Sequence, residues 1–514
     1  MGKRLDRWMV LLLTVAAVLL LLNLGNGRLW QDEAETAVLG KNILRYGYPR
    51  AFDDVNRLNP ELPVGKGYAW TYHPWLTMYS AAVSFLLLGP TTTAARLPFA
   101  LMGWISIWLA YRLAGRLSGD RTVARWTAFL LVTSIPFLLH MRQCRYYAPS
   151  VLFSLWSVWA YERFLKTRPW AGPELVTALV LLFHFNHGVF LPTGAALLLH
   201  FSSTRPTSEQ LGKALRVVGT VLLLTAPFYL LLQASQHRGP FDWKEIRHHA
   251  EFYFRQINHF ILPVSFWLIT LLLWRPSAET LLGKPGGPLR KAVNLALTLL
   301  LLGLAFLIFV PRQRHFRYLV YLIPWFLFLQ AVLLAGLWRR RRWAAIGLAA
   351  FLTLTDLHYT APDLILQRLG HKPSSRPGFR SLPWEFLYEL THTYRGPMDG
   401  IVEYLQAHAE KGQTIKIPYE DHCLIFYTPL RVEPITEFAQ PTTPDWIVLR
   451  RDWLPGGFLQ SPYYQEIRMR YRQIVLDTPD IPWQNRPDPG YHRFRTDPQA
   501  PPVILFQKMS SSQS

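Results

Sequence analysis

The sequence predicts a polytopic α-helical membrane protein, with about 11–13 transmembrane helices, joined to a small soluble α/β domain at its C-terminal end. Three observations carry this prediction. The 514 residues are 50% apolar and only 17% charged, against about 25% charged in an ordinary soluble domain. Apolar runs near the roughly 17–25 residues needed to cross a bilayer dominate the first 360 positions and then stop. Basic residues gather between those runs, as in the cytoplasmic loops of membrane proteins: Arg112, Arg116, Arg121 and Arg125, then Arg339, Arg340, Arg341 and Arg342. The 54 Lys and Arg against 33 Asp and Glu, a net +21, therefore read as a topology signal. A nucleic-acid surface would need its cations on one continuous face. The mean hydropathy of only +0.11 requires a polar segment that dilutes the membrane part. Cys144 and Cys423 stand far apart in unlike surroundings, so a disulfide scaffold is excluded along with a soluble enzyme and a disordered chain.

Taken in order, residues 9–24 form the first apolar run behind Lys3, Arg4 and Arg7. No small-residue cleavage site follows, so the run reads as a retained helix with those cations inside. A polar stretch spans 25–72, the first outer loop. Apolar segments then fall near 74–90, 96–114, 122–140, 147–165, 174–187, 188–201, 215–234, 257–274, 292–310, 316–338 and 343–357. With 339–342 inside, alternation places 275–291, 202–214 and 163–170 inside as well. It places His184, His187, Arg142, Arg145, Arg312, Arg314, Arg317 and the C-terminal tail outside. Counting from the N-terminus agrees except between His73 and Arg112, where two apolar segments occur but an odd number of crossings is needed. A short or re-entrant segment near 74–90 resolves the parity. The membrane part is thus 1–360 and the extracytoplasmic α/β domain 361–514. The tail shows an amphipathic helix at 398–409, closed by Lys411-Gly412, and strands at 414–417 and 445–449. No internal repeat, Walker loop or usable GxGxxG is present.

Four clusters are candidates for chemistry. Asp32, Glu33 and Glu35 open a surface helix over 36–46, with Val38, Leu39 and Ile43 turned to lipid. An acid at the membrane boundary is partly desolvated, which favours a general base; the competing reading is helix capping. Lys66 and His73, among Trp70, Tyr72 and Trp75, are placed to contact an anionic headgroup, or are part of an aromatic belt. Arg142 and Arg145 lie outside against the usual bias, for phosphate binding, for an acid such as Asp32, or for snorkelling. Arg312, Arg314, Arg317 and Tyr318 open a helix with a cluster that suits phosphate or a plain lipid anchor. Asp32, Glu33, Asp53 and Asp54 are oxygen ligands of the kind Mg²⁺ or Mn²⁺ takes. His184 and His187 lack further ligands for zinc and read as polar residues lining a water-filled cavity.

The order of these motifs resembles the GT-C superfamily of polytopic glycosyltransferases. It is similar to bacterial relatives of protein O-mannosyltransferases and of the lipid A aminoarabinose transferase. The resemblance rests on Asp32-Glu33 in the first outer loop, Ala95-Arg96-Leu97-Pro98, His73-Pro74, Arg142 and Arg145 before Tyr146, and Arg317-Tyr318-Leu319 leading to Pro324, over about residues 5–360. Trp75 stands where the family has a second Pro, and His187-Gly188 where it has Lys-Gly. The resemblance implies transfer of a sugar from a polyprenyl-phosphate-linked donor to a hydroxyl of a lipid, glycan or protein, at the outer face of a bacterial inner membrane. It implies Asp32 as base with Glu33 beside it. It gives the donor phosphate to His73 or Lys66, Arg142 or Arg145, Arg314, Arg317 and Tyr318. A transporter or flippase of a lipid-linked sugar is the rival class, against which the absence of paired repeats counts.

Overall fold

A computed structural model of the chain describes residues 6–232, 242–274, 276–311, 313–359, 368, 381–393, 395–434, 443–454, 456–481, 485–497 and 499–509. The boundary drawn at residue 360 and the Arg312 side chain lie outside them. The helices of the membrane part are α1 (Arg7–Leu21), α2 (Gln31–Tyr46), α3 (Leu76–Leu88), α4 (Thr92–Ser118), α5 (Arg121–Thr133), α6 (Ile135–Met141), α7 (Tyr147–Leu165), α8 (Ala171–Phe185) and α9 (His187–Ser203). They continue with α10 (Ser208–Leu231), α11 (Trp243–Phe260), α12 (Val264–Trp274), α13 (Ala278–Leu282), α14 (Pro288–Phe309), α15 (Ile323–Arg340) and α16 (Arg342–Leu354). A 3-10 turn, Phe316–Leu322, leads directly into α15.

Among the described residues four helical stretches are long and apolar enough to cross a membrane: α4, α10, α14 and the continuous Phe316–Arg340. A fifth is α5 with α6 when the two count as one span, bent by 68° where Ser134 meets Ile135-Pro136. The apolar helices α1, α3, α8 and α16 are shorter. The run read at 257–274 divides: its first residues end the amphipathic α11, and Pro263 precedes α12.

The arrangement of α3 and α4 bears on the ambiguous crossing before Arg112. Trp104 Nε1 donates to the Leu13 carbonyl at 2.9 Å and the Tyr111 hydroxyl to Asp6 at 2.8 Å, so α4 runs antiparallel to α1. Its first turn lies at the far end of α1, where Arg96 reaches the carbonyl of Leu24 at 3.1 Å. The end of α3 is at that same level: Ser84 donates to the Ala94 carbonyl at 2.6 Å, and Phe85 meets Phe426 of the C-terminal domain at 5.9 Å. The end of α3 thus lies at the level of the C-terminal domain, and at 13 residues the helix is shorter than a span, which fits the short segment expected there. At the other face Arg339 pairs with Asp120 at 2.8 Å, which brings the two basic loops together as the charge pattern predicts. A tag at positions 91–93 should be labelled from the same side as the C-terminal domain. Labelling from the opposite side only would make α3 a crossing.

Three more helices belong to the C-terminal part: α17 (Leu382–Thr391), α18 (Pro397–His408) and, after β1 (Thr414–Ile417), α19 (Asp421–Tyr427). Then come β2 (Arg431–Pro434), β3 (Trp446–Leu449), α20 (Pro462–Arg470), β4 (Tyr471–Pro479) and β5 (Pro502–Lys508). The strand order is β2-β1-β3-β5-β4, parallel from β2 to β3 and antiparallel beyond. The expected helix and both expected strands are found within one residue of their predicted bounds. The Gly cap is not: Ala409 ends α18, and Gly412, at φ 87°, turns the chain into β1.

This domain sits on the first loop. Gln31 donates to Asp421 at 2.6 Å, Asn485 to the Arg28 carbonyl at 2.6 Å, and Asn56 to the Leu430 carbonyl at 3.0 Å. Helix α2 is accordingly not turned to lipid. Val38, Leu39 and Ile43 are buried between α3 and the C-terminal domain. Gly40 permits the approach, since a Cβ there would stand 3.0 Å from the Ala81 side chain.

Candidate active site

Helix α2 begins at Gln31, with Trp30 in the capping position and no side-chain cap. Asp32 and Glu33 therefore occupy the first turn, where the dipole favours acids, and neither caps the helix. Successive helical residues point about 100° apart, so Asp32, Glu33 and, in the next turn, Glu35 meet three different surroundings.

Glu33 is fully buried. Arg96 grips it from both sides, Nε to Oε1 at 2.9 Å and Nη2 to Oε2 at 2.8 Å, and the Cys144 amide donates to Oε1 at 2.8 Å. The same guanidinium donates to the carbonyls of Leu24 and Asn26, so this pair fixes the passage from α1 to α2. Glu33, expected to share in catalysis, is instead fully buried and held by Arg96 and the Cys144 amide. Glu35 is also buried, accepting from Arg145 at 2.6 Å and from Asn59 at 2.8 Å.

Asp32 is the acid that remains partly accessible, 22% exposed at its side chain. Its carboxylate is ion-paired with Arg317, and Arg145 Nη2 stands 3.9 Å away. Burial pushes the Asp32 carboxyl up, but the guanidiniums of Arg317, Arg145 and Arg486 outweigh it and hold the group below the usual carboxylate range. Arg145 also donates to the Asp32 carbonyl at 3.0 Å and meets His73 Nε2 at 3.2 Å. A guanidinium cannot accept, so His73 Nε2 accepts and the ring is neutral there.

Beside this pair opens a cavity of about 640 Å³. Its polar wall includes Arg317, Tyr318, His73, Tyr147, Asn186 and His187. Its apolar wall comes from the start of α9, through Val189 and Leu191, and the end of α14, through Phe306, Leu307 and Phe309. An anionic head beside a long hydrocarbon tail matches those two walls.

Several expected site residues are placed elsewhere. Arg142 donates to the carbonyls of Leu19, Leu20 and Leu22 at 3.0 Å and of Asn23 at 3.1 Å. It satisfies the orphan carbonyls at the end of α1, where a cation also suits the dipole, and it does not line the cavity. Lys66 and Arg314 are exposed and do not line the cavity. His184 faces a separate apolar cleft beside Trp75 and Phe228, while His187 lines the main cavity.

The four proposed metal acids do not converge. Asp53 accepts the amides of Val55 and Asn56, and Asp54 is held by Tyr46, Arg45 and Arg50. Among the described residues no group of three or more His, Cys, Asp or Glu is arranged for a metal ion.

Arg486, which carries no signal in the sequence, joins His315 of the Arg314–Tyr318 cluster beside the site. Arg486 comes from the C-terminal domain and donates to His315 Nδ1 at 3.2 Å. Burial, then Arg317 and Arg486, hold His315 down to about 3, so the ring is neutral and accepts. Nothing near position 486 signals a role; only docking of the domain brings its charge to Asp32.

Residues 72–230 match the family model of dolichyl-phosphate-mannose-protein mannosyltransferases. An uncharacterized protein of Aquifex aeolicus (strain VF5) is 24% identical over 282 residues, 52% of this chain and 54% of that one. The alignment thus spans about half the length of this curated relative. The crystal structure of ArnT from Cupriavidus metallidurans bound to undecaprenyl phosphate superimposes with a TM-score of 0.56 at 16% identity, over 98% of both chains. The mycobacterial arabinofuranosyltransferase AftD gives 0.51 at 14% identity, over 98% of this chain and 42% of that one. Together with the helical membrane part, the first outer loop and the appended sheet domain, these matches show that the chain has the GT-C fold, the fold of polytopic membrane glycosyltransferases.

Proposed function

We propose that this protein transfers a sugar from a polyprenyl-phosphate-linked donor to a hydroxyl acceptor, on the membrane face that carries the C-terminal domain. The observation that carries the reading is the Asp32–Arg317 pair beside a cavity with one cationic and one apolar wall. The family match over residues 72–230 and the undecaprenyl phosphate bound to ArnT support the same donor class.

In the proposed reaction Arg317 holds the phosphate, and its fixed charge stabilises the leaving group as the bond breaks. The acceptor oxygen attacks the anomeric carbon. The bond from that carbon to the phosphate oxygen breaks, and its electron pair leaves with the polyprenyl phosphate. Asp32 takes the hydroxyl proton. A phosphate on Arg317 draws that cation's field away from Asp32 and so strengthens the base at the moment it is needed. Glu33 is committed to Arg96, which supports a single displacement with inversion over a route through a second carboxylate.

Consumption of a polyprenyl-phosphate-linked sugar by membranes containing the protein tests this. Arg317→Ala should raise the donor KM by about 10–100-fold, the loss of one charge-assisted contact. Unchanged donor kinetics would remove Arg317 from the phosphate site.

A further inference from the structure

A second large cavity, about 550 Å³, lies on the face opposite the active site. It is enclosed by the end of α7, the 166–170 loop, the start of α8, the end of α9 and the start of α10. Phe164, Leu165, Phe201 and Val176 form an apolar floor. Along α10, Gln210, Lys213, Arg216, Val217 and Thr220 follow one helical stripe into it. Arg168 completes the rim. The lining thus contains three cations and no carboxylate.

Its charges differ from those of its neighbours. Close by, Arg163 is neutralised by Glu174 at 2.8 Å, and Arg116 and Lys166 both pair with Glu162. Lys213 has only the exposed Glu209 of its own helix, at 2.6 Å. Arg168 and Arg216 have no acidic partner among the described ion pairs. The loop that carries Arg168 holds two non-glycine residues at positive φ, Thr167 at 49° and Trp170 at 62°. Such conformations are costly for residues with a Cβ. They leave the Trp170 ring 81% exposed at the rim, the usual place of a headgroup-level indole. Helix α10 rises from this rim with a mostly exposed apolar surface, including Leu222 and Leu223.

We infer that this cavity binds an anionic membrane phospholipid, its phosphate between Arg168, Lys213 and Arg216 and its acyl chains along α10. Two arginines without an acidic partner among the described ion pairs, with Lys213 beside them, over an apolar floor open to the hydrocarbon next to α10, complement that ligand in both charge and polarity. The site is separate from the donor cavity and stands or falls independently of the transferase reading.

Native mass spectrometry of the purified chain tests it, with phosphatidylglycerol and phosphatidylcholine of identical acyl composition as probes. The protein should retain one phosphatidylglycerol at least about fivefold more tightly than phosphatidylcholine. Arg168→Gln with Arg216→Gln should abolish the preference, each alone reducing it by about twofold. Arg121→Gln, an exposed cation on the same face outside the cavity, should leave it intact. Val217→Trp, which narrows the apolar part and keeps every charge, should lower retention of both lipids. Equal binding of the two lipids, equal loss in the Arg121 variant, or displacement of the lipid by 10-millimolar-range inorganic phosphate (about the level that would fill a free-phosphate site) would each overturn the proposal.

Discussion

Asp32→Asn is expected to fold, insert and hold the donor while losing sugar transfer by about 10²–10⁴-fold, the usual contribution of a positioned base. The substitution keeps the size of the side chain and removes its charge and proton affinity. The fall should therefore appear in kcat with little change in donor KM, the opposite of the Arg317→Ala pattern. Steady-state consumption of the lipid-linked donor measures both. The pH profile adds a check. In the free protein Asp32 is held below the ordinary carboxylate value of 3.8, chiefly by Arg317 and Arg145 against burial. Its ionised form, which accepts the proton, therefore persists as pH falls through 4. The acid limb of kcat/KM, which reports the free protein, should lie below that value, and Arg317→Gln should shift it upward. Full turnover by a well-inserted Asp32→Asn protein would end the mechanism.

Glu33→Gln is expected to act on the fold. It leaves Arg96 as a buried cation without its counter-charge, and breaking such a pair from one side costs about 3–5 kcal/mol. That is a large share of the ordinary stability of a domain. Thermal unfolding in detergent should show a clear loss for Glu33→Gln and none of comparable size for Asp32→Asn, although the residues are adjacent. The paired replacement of Glu33 and Arg96 by apolar residues should recover part of it, because no lone buried charge remains. A stable, folded Glu33→Gln protein that merely loses turnover would return this acid to the chemistry.

These two outcomes turn on one step in α2, and they mark where the sequence became ambiguous. Composition and apolar run length were enough for the membrane class. The basic loops suggested a facing for each element and a short segment near residues 74–90, where the helix found is 13 residues long, since charge placement across a bilayer is a local property of each loop. The helix at 398–409 and the strand at 414–417 were readable because their periods of 3.6 and 2 are written in consecutive residues. Other elements depend on partners. Helix α2 looked amphipathic for lipid, but its apolar face was destined for α3 and the C-terminal domain. Arg142 and Arg145 look alike in sequence, three positions apart. One closes the end of α1, while the other reaches Glu35 and Asp32.

Thus the sequence by itself determined a basic, polytopic helical membrane protein with an α/β tail, and it offered a few acids in the first long loop and a few arginines as candidates for the chemistry. Only the tertiary structure decided which acid meets which cation. Glu33 finds Arg96 across 63 positions, Glu35 finds Arg145 across 110, and Asp32 finds Arg317 across 285. Helical geometry sets the direction in which each acid points, but what stands there is set by packing between distant segments. The pairs of Glu33 and Glu35 are buried by that packing, and only the pair of Asp32 includes a residue, Arg317, that lines the cavity.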